Sequence, residues 1–283
     1  MRAIKTLFLL TALTLLLVLG GQAIAGERGM TFGLIMAVVM NGVAYFFSDK
    51  IALKSSGAQP VSREQLPRLY TVMERLSSKA RLPMPKLYVI PQPAPNAFAT
   101  GRNPAHASVA VTAGLMELMN DDELEGVIAH ELSHVRNYDI LITSIAATLA
   151  GAITWIASMG RWALIFGGFG GSRDDEGGGI AAIAMLIVAP LAAMLIQLGI
   201  SRQREFAADA SGARMVGHPY GLISALEKLG AYNKRIPMDV PPATASLFIV
   251  APFSARQVFA GMFSTHPPLT ERIAVLRNMT ITK

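Results

Sequence analysis

Cysteine is absent from the 283 residues. That excludes a disulfide framework, a thiolate metal site and a thiol nucleophile, so any metal has to be held by histidine and carboxylate. Charge is scarce as well. Asp, Glu, Lys and Arg together make up 16% of the chain, against about 25% in an ordinary soluble domain. Apolar residues reach 52%. A chain of this composition cannot cover a water-facing surface with polar groups, and lipid must do part of the solvating. Basic runs are missing too. The net charge of +6 is scattered, with no basic stripe interleaved with aromatics. This argues against a nucleic-acid partner and for charge facing anionic lipid on the cytoplasmic side. There is no internal repeat, and the only low-complexity tract is a Gly-rich stretch in the 160s and 170s.

What the chain does have is four stretches without a charged side chain, at residues 6–26, 30–48, 140–160 and 180–200. Each runs to about 20 residues, the length a helix rising about 1.5 Å per residue needs to cross a hydrocarbon core of about 30 Å. The first two are joined by the short turn Gly26-Glu27-Arg28-Gly29. Arg2, Lys5, Lys50, Lys54, Arg136, Arg202 and Arg204 flank the ends that share one side. By the positive-inside rule both termini and the chain outside the hairpins face the cytoplasm, a multi-pass arrangement suited to the cell inner membrane. A signal-peptidase reading of Ala23-Ile24-Ala25 competes for the first stretch. It leaves the location of the remaining chain unchanged, because the second stretch returns it to the same side. Gln22, Asn41 and Gln197 are the only strongly polar insertions, and spans without charge argue against a transporter.

The expected organisation is a transmembrane hairpin at 1–48, a first soluble part at 49–139, a second hairpin with its outer loop at 140–200, and a second soluble part at 201–283. Leu66, Leu69, Val72, Met73 and Leu76 have helical spacing within 63–80. Residues 86–90, 96–100 and 108–112 read as short strands between Pro- and Gly-containing turns. Asn120, followed by Asp121, Asp122 and Glu123, is a helix start with acid at the positive end of the dipole. A last helix is expected over 268–278.

The informative run is Val127-Ile128-Ala129-His130-Glu131-Leu132-Ser133-His134. Leu124, Val127, Ile128, Leu132 and Val135 recur at helical spacing, so the segment is one amphipathic helix. Residues four apart stack on one helix face, which lets both imidazoles reach a single ion. Glu131 then reaches a water on that ion without ligating it, the physical basis of H-E-x-x-H. Glu205, His218, His266 and His106 are candidates for a third ligand. Glu205 lies in Ser-Arg-Gln-Arg-Glu-Phe-Ala-Ala-Asp, on a helix leaving the fourth apolar stretch. Asp209 shares its face, placed to bond a ligand imidazole from behind. His134 stands six residues before the third stretch and Glu205 five after the fourth. A hairpin of those two would bring both motifs out side by side. Two His and one Glu leave a tetrahedral position for water, as in catalytic zinc sites.

Residues 96–101 (Asn-Ala-Phe-Ala-Thr-Gly), 120–134, 201–210 and 264–273 (Ser-Thr-His-Pro-Pro-Leu-Thr-Glu-Arg-Ile) together resemble the HtpX-type membrane metalloproteases, and more distantly the CAAX prenyl proteases. The resemblance implies one zinc ion on His130, His134 and Glu205 with Glu131 as base. It also implies a role in membrane protein quality control and stress response, cutting misfolded membrane proteins on the cytoplasmic side. The fold expected is a mostly α integral membrane protein, with four transmembrane helices and a zincin-like α+β domain split around the second hairpin. Asn96 and Phe98 mark a strand that could pair with extended substrate, or alternatively a structural strand with Phe98 in the core. His266 could donate to the oxyanion, helped by Arg272, or could cap the helix after Pro267-Pro268. His106 and His218 read as loop residues. Processing of lipidated C-termini and a non-catalytic membrane scaffold are the competing functions.

Overall fold

The structure is a computed structural model of the chain, and it describes residues 2–165, 202–233, 244, 247–250 and 267–281. The first apolar half is one long element, α1 (Arg2–Ser55), folded back on itself at Ala25 and Gly26. Gly26 takes φ +59°, a left-handed conformation that glycine adopts without steric cost. The two arms are tied across the fold-back by Asn41, whose Nδ2 donates to Thr14 Oγ1 at 2.9 Å and to the Leu10 carbonyl at 3.3 Å. The second arm, Ala25–Ser55, is the one helix among the described residues long and apolar enough to cross a membrane. Thr6–Gln22 and Asp139–Ala152 are shorter apolar helices. Leu7, Phe8, Phe32, Val38 and Phe46 stand exposed on α1, an expensive surface in water. The fourth apolar stretch, at 180–200, and the Gly-rich loop lie outside the described residues.

A four-stranded sheet follows, in the order β1-β2-β4-β3. It comprises β1 (Gln59–Pro60), β2 (Lys86–Ile90), β3 (Ala97–Gly101) and β4 (Ala107–Thr112). β2 and β4 are parallel, while β3 runs antiparallel to β4 with Phe98 opposite Ala110. β3 is therefore an edge strand. The expected strands lie within a residue of those found; β1 was not foreseen. Between β1 and β2, α2 (Pro67–Ala80) buries Leu69, Val72, Met73 and Leu76. It starts at Pro67, later than expected, because proline suits a helix's first turn, where its missing N–H is not needed.

After β4 come α3 (Ala113–Leu118) and α4 (Asp121–Arg136). Asn120 caps α4 reciprocally with Glu123, side chain to backbone in both directions at 2.9 Å. Leu124, Val127, Ile128, Leu132 and Val135 bury into the main core with α2 and β4. α4 does not run on into the apolar stretch. Instead it ends at Asn137, Tyr138 takes φ +57°, and α5 (Asp139–Ile165) starts anew. α5 packs Ile142, Ile145, Ala146 and Leu149 against Leu9, Leu13 and Ala44 of α1. Ser144 on α5 meets Thr100 of β3, hydroxyl to hydroxyl, at 2.7 Å. Three further helices, α6 (Arg202–Val216), α7 (Tyr220–Asn233) and α8 (Leu269–Arg277), complete the described structure. α4 is the central helix, packed by α2, α6 and α7.

Candidate metal centre

One turn of α4 separates His130 from His134, and their Nε2 atoms stand 3.2 Å apart. The other nitrogen of each ring is already engaged. His130 Nδ1 lies 2.8 Å from Asp209 Oδ1, and His134 Nδ1 lies 3.4 Å from Asp139 Oδ2. A neutral imidazole has one N–H and one lone pair, so a carboxylate at Nδ1 turns the Nε2 lone pair towards the shared space. α6 brings Glu205 to that space from the opposite side. Its Oε2 is 3.7 Å from His130 Nε2 and its Oε1 is 3.5 Å from His134 Nε2. This approach depends on Gly212, where a Cβ would lie 3.0 Å from the backbone nitrogen of His130.

These distances test whether the residues fit a metal. Donors about 2.0–2.1 Å from one tetrahedral zinc stand roughly 3.3 Å from each other. The two Nε2 atoms have that spacing at 3.2 Å, the two Glu205 oxygens approach one ring each at 3.7 and 3.5 Å, and one ligand atom from each of the three residues lies within 4.8 Å of the others. In the neutral form of each ring, the carboxylate at Nδ1 favours the tautomer that ligation requires. The group fits.

Glu131 is buried beside them, and Ala99 of β3 lines the same cavity. Burial, reinforced by the charge of Glu205, pushes its pKa up to about 7, although His134, Ala99 and Arg272 oppose the shift. Burial also lowers the pKa of His130. For His134 burial acts in the same direction, but the Asp139 hydrogen bond and the charges of Glu205 and Glu131 prevail and raise it to about 9. Polar groups of the site face an apolar wall of Ile140, Leu247 and Phe248 across a cavity of about 20 Å³.

Behind the ligands lies a second layer. Arg272 is fully buried and forks onto Asp209, with Nε to Oδ2 at 2.8 Å and Nη2 to Oδ1 at 2.7 Å. Burial resists ionisation of Asp209, but the guanidinium charge and these bonds hold its carboxyl below the usual range. Arg272 Nη1 donates to the Ile249 carbonyl at 2.9 Å and lies 3.6 Å from Glu205 Oε2. The sequence reading set Arg272 beside an oxyanion; its fork is instead spent on Asp209, at the back of His130.

The other candidates separate. His266 lies outside the described residues. His106 bonds Asn103 at 2.9 Å, and His218 stacks on Tyr220, neither joining the cluster. Phe98 is fully buried and packs edge-on against Phe248, with ring centroids 5.0 Å apart. The neighbouring apolar residues of β2, α1 and α5 complete that core, which explains its direction. Asn96 is buried, and its amide bonds the backbone of Val250. Asp139 was missed. Its signal is its position, a lone acid five residues after His134 at the start of an apolar stretch.

Two histidines one helical turn apart, a buried glutamate between them and a carboxylate from a second helix define a metalloprotease. The chain belongs to peptidase family M48, whose family model matches residues 62–280. It is similar to a "Protease HtpX homolog" of Desulfatibacillum aliphaticivorans, 60% identical and covering 96% of this chain and 88% of that one. A "Protease HtpX homolog" of Syntrophotalea carbinolica is 51% identical, covering 99% of this chain and 100% of its own. Among solved structures, the crystal structure of S. mikatae Ste24p matches with a TM-score of 0.54 at 22% identity. That match covers 97% of this chain and 65% of that one, and it speaks to the shared fold.

Proposed function

We propose that the chain is a membrane-embedded zinc endopeptidase that hydrolyses misfolded or membrane proteins on the cytoplasmic side of the cell inner membrane, in membrane protein quality control and stress response. The observation that carries the reading is the convergence of His130, His134 and Glu205, whose ligand atoms lie within 4.8 Å of one another, with Glu131 adjoining. The multi-pass arrangement and its orientation rest on the apolar stretches and their basic flanks. The cellular role rests on the likeness to proteins named Protease HtpX homolog.

His130, His134 and Glu205 would hold the ion. Zinc bound there supplies Lewis acidity, which brings deprotonation of water towards a pKa of about 7. Glu131, itself raised to about 7, is matched to accept a proton from water and return it to the departing amine. Asp209 and Asp139 keep both imidazoles oriented, and Arg272 keeps Asp209 in place. Ile140 gives the reacting groups an apolar wall on one side.

The test pairs metal content with proteolysis. Changing Glu131→Gln removes the base and leaves the ligand set. Cleavage of casein by the purified protein in detergent should fall roughly a hundred- to ten-thousandfold, with bound zinc unchanged. Undiminished cleavage would refute the assignment.

A further inference from the structure

Residues 247–250 lie along β3, and every polar group of the backbone at Ile249 and Val250 is taken. The Ile249 N–H donates to the Ala97 carbonyl at 2.9 Å. The Ile249 carbonyl accepts from Arg272 Nη1 at 2.9 Å. The Val250 carbonyl accepts from Asn96 Nδ2 at 2.8 Å, and the Val250 N–H points to Asn96 Oδ1 at 3.4 Å. None of these bonds uses a side chain of residues 249 or 250. The clasp therefore reads main chain alone, and any extended peptide could make the same bonds.

The clasp lies at the reacting groups. Leu247, Phe248 and Ile249 line the cavity that holds His130, Glu131, His134 and Glu205. On the outward edge of β3 the Ala97 carbonyl goes to Ile249, and Ala99 lines the cavity that holds Glu131. An edge strand normally offers such groups to a partner strand. Here all five of its residues are buried.

Size makes the same point. A cavity of about 20 Å³ has room for about one water, whereas ligand pockets run to roughly 300–1,000 Å³. Among the described residues, that cavity has no room for a peptide bond with its flanking residues while 247–250 stay in place.

We infer that residues 247–250 fill the main-chain binding position of a substrate on β3, and that an extended apolar peptide segment binds there by displacing them. This rests on the protease reading of the site. The class of occupant follows from the segment itself: Leu, Phe, Ile and Val in sequence, with Phe248 packed on Phe98. Substrates able to insert a stretch of aliphatic or aromatic residues compete best. A folded soluble protein, which buries such stretches, does not.

The absence of cysteine gives a direct experiment. Ile249→Cys, placed in a Glu131→Gln background, puts a single thiol in the clasp of the full chain in detergent. Maleimide labelling should be slow alone and at least about fivefold faster with a saturating synthetic peptide copying residues 244–251. A peptide with the apolar residues replaced by Ser should have no effect. Hydrogen exchange over residues 247–250 of the unsubstituted chain, treated with chelator, should accelerate with the same peptide. This second readout needs neither the variant nor the loaded metal. Labelling and exchange that are unchanged or slowed by the peptide overturn the inference. If the Glu131→Gln protein still cleaves casein, the protease reading fails by that result, whatever the labelling shows.

Discussion

Replacing Arg272 with Met tests how the layer behind the metal site is held. Arg272 has no exposed surface and makes three strong bonds, two to Asp209 and one to the Ile249 carbonyl. Its loss leaves the Asp209 carboxylate buried with His130 as its remaining partner among the described residues. Breaking a buried ion pair from one side costs about 3–5 kcal/mol, because the remaining charge stays in a low dielectric. Removing both partners is far cheaper, so the double variant Arg272→Met with Asp209→Leu should recover a large part of that loss. Denaturant unfolding in detergent, with chelator present so that metal binding does not contribute, measures both. The pH dependence has a definite sign. Arg272 holds the Asp209 pKa down, which stabilises the fold above the unfolded carboxyl pKa of about 3.9. This stabilisation is lost as pH falls through the lower folded value. The gap between the parent and Arg272→Met should therefore be widest near neutrality and close in acid. A single-variant cost below about 1 kcal/mol, or a double variant that costs the sum of the singles, refutes the reasoning.

Glu205→Ala should abolish stoichiometric zinc binding while leaving α4 folded, as judged by metal analysis and circular dichroism; full occupancy would remove Glu205 from the ligand set. Gly212→Leu forces a side chain against the backbone of His130, where even a Cβ stands 3.0 Å away. It should weaken zinc by pushing α6 off α4, and unchanged affinity would show that α6 is not set by that contact. Chelated protein should release more than one proton per zinc bound at pH 7, since His134 has a pKa of about 9 and Glu131 one of about 7. Calorimetry in buffers of different ionisation enthalpy reads this number, and zinc affinity independent of pH between roughly 6 and 9 would contradict it.

What the sequence disclosed was local. The cap at Asn120, the apolar spacing through α4 and the two histidines on one face depend on residues within a turn or two. The three main strands were bounded by turn residues close to their ends. The break between α4 and α5 was not legible. Neither Gly nor Pro stands at 137–139, and Tyr138 adopts a left-handed conformation that tyrosine rarely visits. Yet that break carries Asp139 back to His134. Arg272 meets Asp209 across 63 positions of sequence, and Asn96 meets Val250 across 154. Only packed helices and a covered sheet edge specify such pairs. Phe98 turned inward for a similar reason: alternation along β3 sends its side chain to the face shared with Phe248 and Ile90.

The charges around the site explain why one divalent cation suits it. Glu131, Glu205, Asp209 and Asp139 are all buried. Against them stand Arg272, bonded to Asp209, and Arg204, 3.7 Å from Asp139. Among the described residues these carboxylates outnumber the guanidinium groups beside them, and excess negative charge in a low dielectric is costly. A divalent ion on neutral imidazoles offsets that excess. When chelator removes that ion, protons are the remaining source of positive charge. They go to the two groups whose pKa values the surroundings raise, His134 and Glu131. The same charge imbalance predicts metal affinity and proton release on binding, and it fits a base whose pKa lies near neutrality. Neutralising Asp139 as Asn would remove one of those charges and one of the groups that raise His134. Such a variant should bind zinc more weakly and release fewer protons in the same titration, because the site would then hold less negative charge against the ion.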